Sequence, residues 1–203
     1  MPMARSLNNP LQEALKHGQS IWYDGLIARA EFERMIKEDG LRGATTNPII
    51  FEKAIAGGQT DSLMKSTSHG VTDDEIYKRI ALEAVQQVAD VFLPVYQQTA
   101  GQDGFVSMEV SPLLAYDTEG TIREARELFK RAGRKNVMIK IPATAAGIPA
   151  IETAISEGIH VNACGNSISG SYGLGPCGTA PIVVGRINGH IDGVLGRNSE
   201  RRL

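Results

Sequence analysis

The sequence predicts an α/β fold in which short strands alternate with helices around a parallel sheet. Three observations predict it. Apolar runs of strand length recur as far as Asn162, stretches with three- and four-residue apolar spacing lie between them, and polar residues gather near the C-terminal ends of the short runs. An open doubly wound sheet and a (β/α) barrel share this alternation.

Taken in order, Pro10 opens a helix over 10–17 that Gly18 closes. "SIWYDG" (20–25) reads as the first strand, followed by a helix over 29–39, the strand "GATTNP" (43–48) and a short helix over 48–56. A capping box, Thr72 with Glu75, starts a long helix over 73–93, on which Ile76, Ile80, Ala84, Val88 and Val91 form one apolar face. "FVSMEVSP" (105–112) is the third strand. A helix over 118–132 follows, with Asp117 or Thr118 as N-cap, Ile122, Ala125, Phe129 and Ala132 on one face, and Gly133 as the stop. "NVMIKIPAT" (136–144), a helix over 146–157 and "GIHVN" (158–162) complete five strands.

The character changes after Asn162. Nine of the 22 glycines fall in residues 163–203, where "GNSISGSYGLGPCG" has neither helical nor strand periodicity, so 1–162 reads as the folded part and 163–203 as an atypical Gly-rich tail of loop or disorder. Neither G-x-G-x-x-G after a strand nor G-x-x-x-x-G-K-[ST] occurs there, which excludes the usual phosphate loops.

Composition narrows the function classes. A chain of 203 residues with 42% hydrophobic and 22% charged content has material for one core, and a net charge of −2 with a pI of about 6.1 gives no basic surface for nucleic acid. No window reaches the ~18 apolar residues of a membrane span, and the N-terminus lacks a signal-peptide core, so a cytoplasmic protein with no membrane partner is expected. Cys164 and Cys177 read as incidental thiols without support for zinc or a disulfide, and the dispersed His17, His69, His160 and His190 read as surface or capping residues.

The chemistry lies at the strand ends. In "VMIKIP", Val137, Ile139 and Ile141 share one face, while Met138, Lys140 and Pro142 share the other. A lysine among apolar neighbours is expected to be desolvated toward the neutral amine, the nucleophile of Schiff-base chemistry. Asp24, Asn47, Glu109 and Asn162 stand near the ends of the other strands, and in a barrel all such positions converge on one mouth. Asp24 before Gly25 and Asn47 before Pro48 are also ordinary turn formers; Glu109 and Lys140 are not explained that way. A carboxylate and a lysine amine suffice for reversible aldol chemistry without metal or cofactor.

"SIWYDGL" (20–26), "EFERMIKEDGLRGATTNPIIFEKAI" (31–55), "FVSMEVSPLLAYDTEGTI" (105–122) and "NVMIKIPATAAGIPAIETAISEGIHVN" (136–162) agree in order and spacing with one family, and on them the chain resembles transaldolase, in its longer bacterial branch. The resemblance implies a (β/α)8 TIM-barrel fold of the class I aldolase type. It implies transfer of a dihydroxyacetone unit between sugar phosphates of the pentose phosphate pathway, from sedoheptulose 7-phosphate to glyceraldehyde 3-phosphate. By the same resemblance Lys140 is the Schiff-base lysine, Asp24 the acid/base aspartate, Glu109 the glutamate that works through a water, and Asn47 and Asn162 hold the substrate hydroxyls.

The chain also departs from that pattern. The family has a threonine two residues after the asparagine matched by Asn162, where this chain has Cys164, and only Arg186 in "VVGRI" resembles a phosphate-binding position. Five strands before the tail imply a barrel short of its eight, which predicts poor stability, self-association or aggregation unless a partner completes it, and a shift of reading frame at residue 163 would produce such a tail. An inactive remnant or association module, and a lyase resembling fructose 6-phosphate aldolase, stand as the alternative functions.

Overall fold

The computed structural model describes residues 9–46, 72–164 and 182–184. Its elements follow the sequence pattern closely. They are α1 (Pro10–Lys16), β1 (Trp22–Asp24), α2 (Arg29–Asp39), β2 (Gly43–Thr45), α3 (Asp73–Gln98), β3 (Phe105–Glu109), a 3-10 turn (Pro112–Leu114), α4 (Thr118–Ala132), β4 (Val137–Pro142), α5 (Gly147–Ser156), β5 (Val161–Cys164) and β6 (Ile182–Val184). The helix expected over 48–56 lies outside the described residues. The chain divides into two compact units, Met1–Met108 with Ala132–Val137 and Glu109–Arg131 with Met138–Leu203.

In the first unit β2 pairs in parallel with β1 on one side and β3 on the other. Just before β4, the Asn136 carbonyl accepts a hydrogen bond from the Val106 amide at 2.9 Å. In the second unit the Lys140 carbonyl of β4 accepts from the Val110 amide, just past β3, at 3.2 Å, and β4 pairs in parallel with β5. Each parallel strand therefore neighbours its successor in sequence. A doubly wound sheet would reverse its order at a switch point, and none occurs among these five strands, so the alternative left open by the alternation is decided for the barrel type.

Local chemistry sets the helix ends. The Asn9 side chain accepts from the Leu11 amide at 3.0 Å ahead of Pro10, and the Thr72 hydroxyl accepts from the Glu75 amide at 3.3 Å, as the capping box predicts. At α4 the two candidate caps separate. Asp117 Oδ1 accepts from the Gly120 amide at 2.9 Å and is the cap, while the Thr118 hydroxyl donates to the Ala146 carbonyl at 2.7 Å. The helix expected to stop at 93 runs on to Gln98 through Pro94. Proline removes one backbone bond from a helix, but Val91, Phe92 and Val95 carry the buried face past it, and their packing outweighs that loss.

The core of the first unit is built on Phe32 of α2 and Phe92 of α3, both fully buried, whose rings meet edge to face at 5.5 Å. Tyr23 adds an edge contact to Phe32 at 5.8 Å, and Tyr96 meets Phe105 at 5.2 Å. Gly104, with φ of 84°, is required between α3 and β3, because a Cβ there would stand 2.3 Å from the Tyr96 backbone nitrogen. Asn136 ties this corner together, its side-chain amide donating to the carbonyls of Ala89 and Gly104 at 2.8 Å each. In the second unit the core is Met138, Ile139 and Ile141 of β4, Val161 of β5, Ala150 and Ala154 of α5, and the inner face of α4.

Two differences concern the tail. β5 extends past Asn162 to Cys164, and Ile182–Val184 form a strand, β6, pairing antiparallel with β5 at Val161↔Val184, Asn162↔Val183 and Ala163↔Ile182. Its three residues are too short a run for alternation to register in sequence. The expectation of incidental thiols also fails at Cys164, which is disulfide-bonded, while Cys177 lies outside the described residues. His160, expected at the surface, is half-buried with its ring 6.3 Å from that of Phe129; His17 caps α1 as expected, and His69 and His190 lie outside the described residues.

Candidate active site

β4 is buried on both faces, as a parallel strand covered on both sides should be. Val137, Met138, Ile139 and Ile141 are fully enclosed, and Lys140 is enclosed with them, its side chain only 9% exposed. Little of this side chain is open to solvent. Its Nζ lies instead 2.5 Å from Oε1 of Glu109, whose side chain is 18% exposed at the end of β3. The two residues that turn chemistry left unexplained in the sequence are thus brought into contact.

The parallel register of β4 and β5 sets what lies beside them. Lys140 is level with Asn162, and Pro142 with Cys164, so Asn162 is the immediate neighbour of Lys140 on the next strand and is fully buried. Cys164 occupies the following step on that side, toward the C-terminal end of the strands. The Ala143 amide donates to the Cys164 carbonyl at 2.7 Å and holds the strand ends together.

The loops that leave β3 and β4 are laced to one another. The Thr144 hydroxyl donates to the Ala115 carbonyl at 2.6 Å and accepts from the Gly147 amide at 2.9 Å, and the Thr118 hydroxyl reaches Ala146 from the opposite side. Gly147 admits no side chain, since a Cβ would lie 1.8 Å from the Pro142 carbonyl oxygen. Glu124 of α4, 7% exposed, accepts from the Ser111 amide at 2.5 Å and anchors the segment that follows Glu109. Thr144 and Glu124 escaped the sequence reading. Glu124 had left a signal, being an acid on the apolar face of α4 beside Ile122, Ala125 and Leu128.

Asp24 belongs to the first unit. It ends β1, is exposed, and its Oδ1 accepts from the Thr45 hydroxyl at 2.7 Å, its register partner at the end of β2. The Thr46 hydroxyl is buried and donates to the Ser107 carbonyl at 2.8 Å. Asn47 and Arg186 lie outside the described residues. No helix among the described residues is long and apolar enough to cross a membrane, and no group of three or more His, Cys, Asp or Glu among them is arranged to hold a metal ion.

Residues 21–164 match the family model described as transaldolase/fructose-6-phosphate aldolase. A transaldolase of Trichodesmium erythraeum is 44% identical over 165 residues, covering 77% of this chain and 43% of that protein. Transaldolase 2 of Nostoc punctiforme is 42% identical over 76% of this chain and 42% of its own length, and a transaldolase of Neisseria meningitidis 44% identical over 71% and 43%. The chain therefore spans less than half the length of these curated relatives. The fold is α/β of the (β/α)8 TIM-barrel, class I aldolase type, with five parallel strands recognisable. With the family model matching residues 21–164 and these relatives more than 40% identical over most of the chain, the chain belongs to the transaldolase/fructose-6-phosphate aldolase family.

Proposed function

We propose that this chain carries Schiff-base chemistry on ketose phosphates, the transaldolase reaction being its function. A dihydroxyacetone unit passes from sedoheptulose 7-phosphate to glyceraldehyde 3-phosphate, giving erythrose 4-phosphate and fructose 6-phosphate. The observation that carries the reading is the enclosed Lys140 amine in contact with the Glu109 carboxylate. Lys140 Nζ, having given a proton to Glu109, attacks the ketose carbonyl carbon, and loss of water from the carbinolamine leaves the imine. Glu109 is suited to moving that proton, directly or through a water.

Cleavage of the adjacent carbon–carbon bond requires a base at the neighbouring hydroxyl, and Asp24 is assigned that role by its match to the family's aspartate. The electron pair of the broken bond passes to the iminium, the resulting enamine adds to the acceptor aldehyde, and water then hydrolyses the new imine to release the ketose phosphate and the Lys140 amine. Asn162, level with Lys140, and Asn47 are assigned to the substrate hydroxyls. No cofactor enters this scheme. A soluble cytoplasmic enzyme that self-associates is the setting we propose, with the Gly-rich sequence beyond Cys164 a segment distinct from the family-like part.

A second reading is favoured by one observation, the family description itself, which spans both transaldolase and fructose-6-phosphate aldolase. One experiment separates these from an inactive remnant. The purified protein is incubated with fructose 6-phosphate and reduced with borohydride, and Lys140 is examined by intact mass and peptide mapping against Lys140→Ala. A sugar adduct on Lys140 with erythrose 4-phosphate-dependent turnover supports the transferase, and an adduct with acceptor-independent turnover that releases both dihydroxyacetone and glyceraldehyde 3-phosphate supports the lyase. Folded protein without an adduct overturns both.

A further inference from the structure

We propose that Glu124 is a positioning residue for the Lys140–Glu109 pair, acting through the backbone that leaves β3. The proposal rests on the reading that this pair is the reacting one. The inner face of α4 is otherwise closed by Thr121, Ile122, Ala125 and Leu128, so a carboxylate there replaces an aliphatic residue at a cost in desolvation. What it gains is specific. Its Oε2 accepts from the Ser111 amide at 2.5 Å, only two residues beyond Glu109. The intervening Val110 amide donates to the carbonyl of Lys140 itself.

Both amides that follow Glu109 are therefore anchored, one to the strand bearing the amine and one to α4. A second grip lies one turn earlier on the same helix, where the Thr121 hydroxyl donates to the Leu114 carbonyl at 2.9 Å. Ser111 also opens the 3-10 turn, so a shift at Ser111 moves the chain on both sides of it. Removing the acceptor leaves a backbone amide without its charged partner and frees the end of β3 to drift from Lys140. Glutamine at 124 retains an acceptor oxygen at the same reach, whereas aspartate falls one methylene short.

The test compares wild type, Glu124→Ala, Glu124→Gln and Glu124→Asp by reductive methylation with formaldehyde and cyanoborohydride. Lys140 is read by peptide mapping relative to Lys130, an exposed lysine on α4. Loosening the ion pair is expected to raise the Lys140-to-Lys130 rate ratio by about fivefold in the alanine and aspartate variants, with glutamine within about twofold of wild type. Borohydride trapping of fructose 6-phosphate is expected to fall on the order of tenfold in the first two. An unchanged methylation ratio in folded Glu124→Ala, or in Glu124→Asp should the alanine variant not fold, overturns the proposal. A changed ratio in a protein whose wild type traps no sugar supports the positioning role and overturns the sugar-phosphate reading alone.

Discussion

Lys140 Nζ and Glu109 Oε1 face each other at 2.5 Å with both side chains largely withdrawn from water, and each is the other's counter-charge. Removing one partner of such a pair strands the other in a poorly solvated site. Lys140→Met is expected to lower the unfolding free energy by about 3 kcal/mol, and Lys140→Met with Glu109→Gln to recover most of that loss. Urea denaturation of the two single variants and the double variant measures the coupling. Additive losses would mean that the contact contributes nothing as a pair.

Asp24 and Thr45 offer a way to separate the two halves of the proposed reaction. Thr45→Val removes the hydroxyl that donates to Asp24, at an expected cost of about 1 kcal/mol in stability. Asp24→Asn is expected to slow carbon–carbon cleavage by about a hundredfold or more while leaving sugar trapping on Lys140 within a few-fold of wild type. Single-turnover cleavage measured beside adduct formation tests this. A parallel fall in both would assign Asp24 to binding.

Gly147 marks where the loop after β4 turns into α5. Alanine there must displace the Pro142 carbonyl, a backbone group with no rotamer to yield. Gly147→Ala is expected to destabilise the protein by about 2 kcal/mol or more and to slow trapping on Lys140, two residues before Pro142. A thermal melt and the trapping rate, taken on the same preparation, check it; a melt unchanged from wild type would contradict the steric argument.

His160 sets a pH dependence of stability. Burial beside Phe129 holds its imidazole below the ordinary histidine value. The unfolded chain therefore binds a proton more readily than the folded one, and this group's contribution to stability is present above an unfolded value of about 6.5 and is lost as pH falls toward the folded value. His160→Leu is expected to flatten the stability profile between about pH 5 and 7 relative to wild type. Denaturation midpoints across that range provide the comparison, and an equal slope in both proteins would locate the dependence elsewhere.

Helices and strands were legible in this sequence wherever periodicity and capping agreed, as at Thr72 and Pro10. The long helix expected over 73–93 runs on to Gln98, because Val95 continues its buried face beyond Pro94. Lys140 stood out as a charge in an apolar strand, but its contact with Glu109 depends on how β3 and β4 lie against each other, which no spacing within either strand encodes. The same holds for Thr144, whose partner Ala115 lies in another loop. Glu124 was visible as an acid on an apolar face and needed Ser111 to give it meaning. The disulfide at Cys164 had no signature in the spacing of two cysteines.

The antiparallel β6 bears on assembly. An edge strand ordinarily offers its free amides and carbonyls to whatever arrives, yet the outer side of β5 is already zipped along Val161, Asn162 and Ala163. Any further parallel strand, from this chain or another, meets an occupied berth. It must peel β6 away before it can dock, so growth of the sheet beyond β5 is a replacement reaction with its own barrier, slow even where the final arrangement is the more stable.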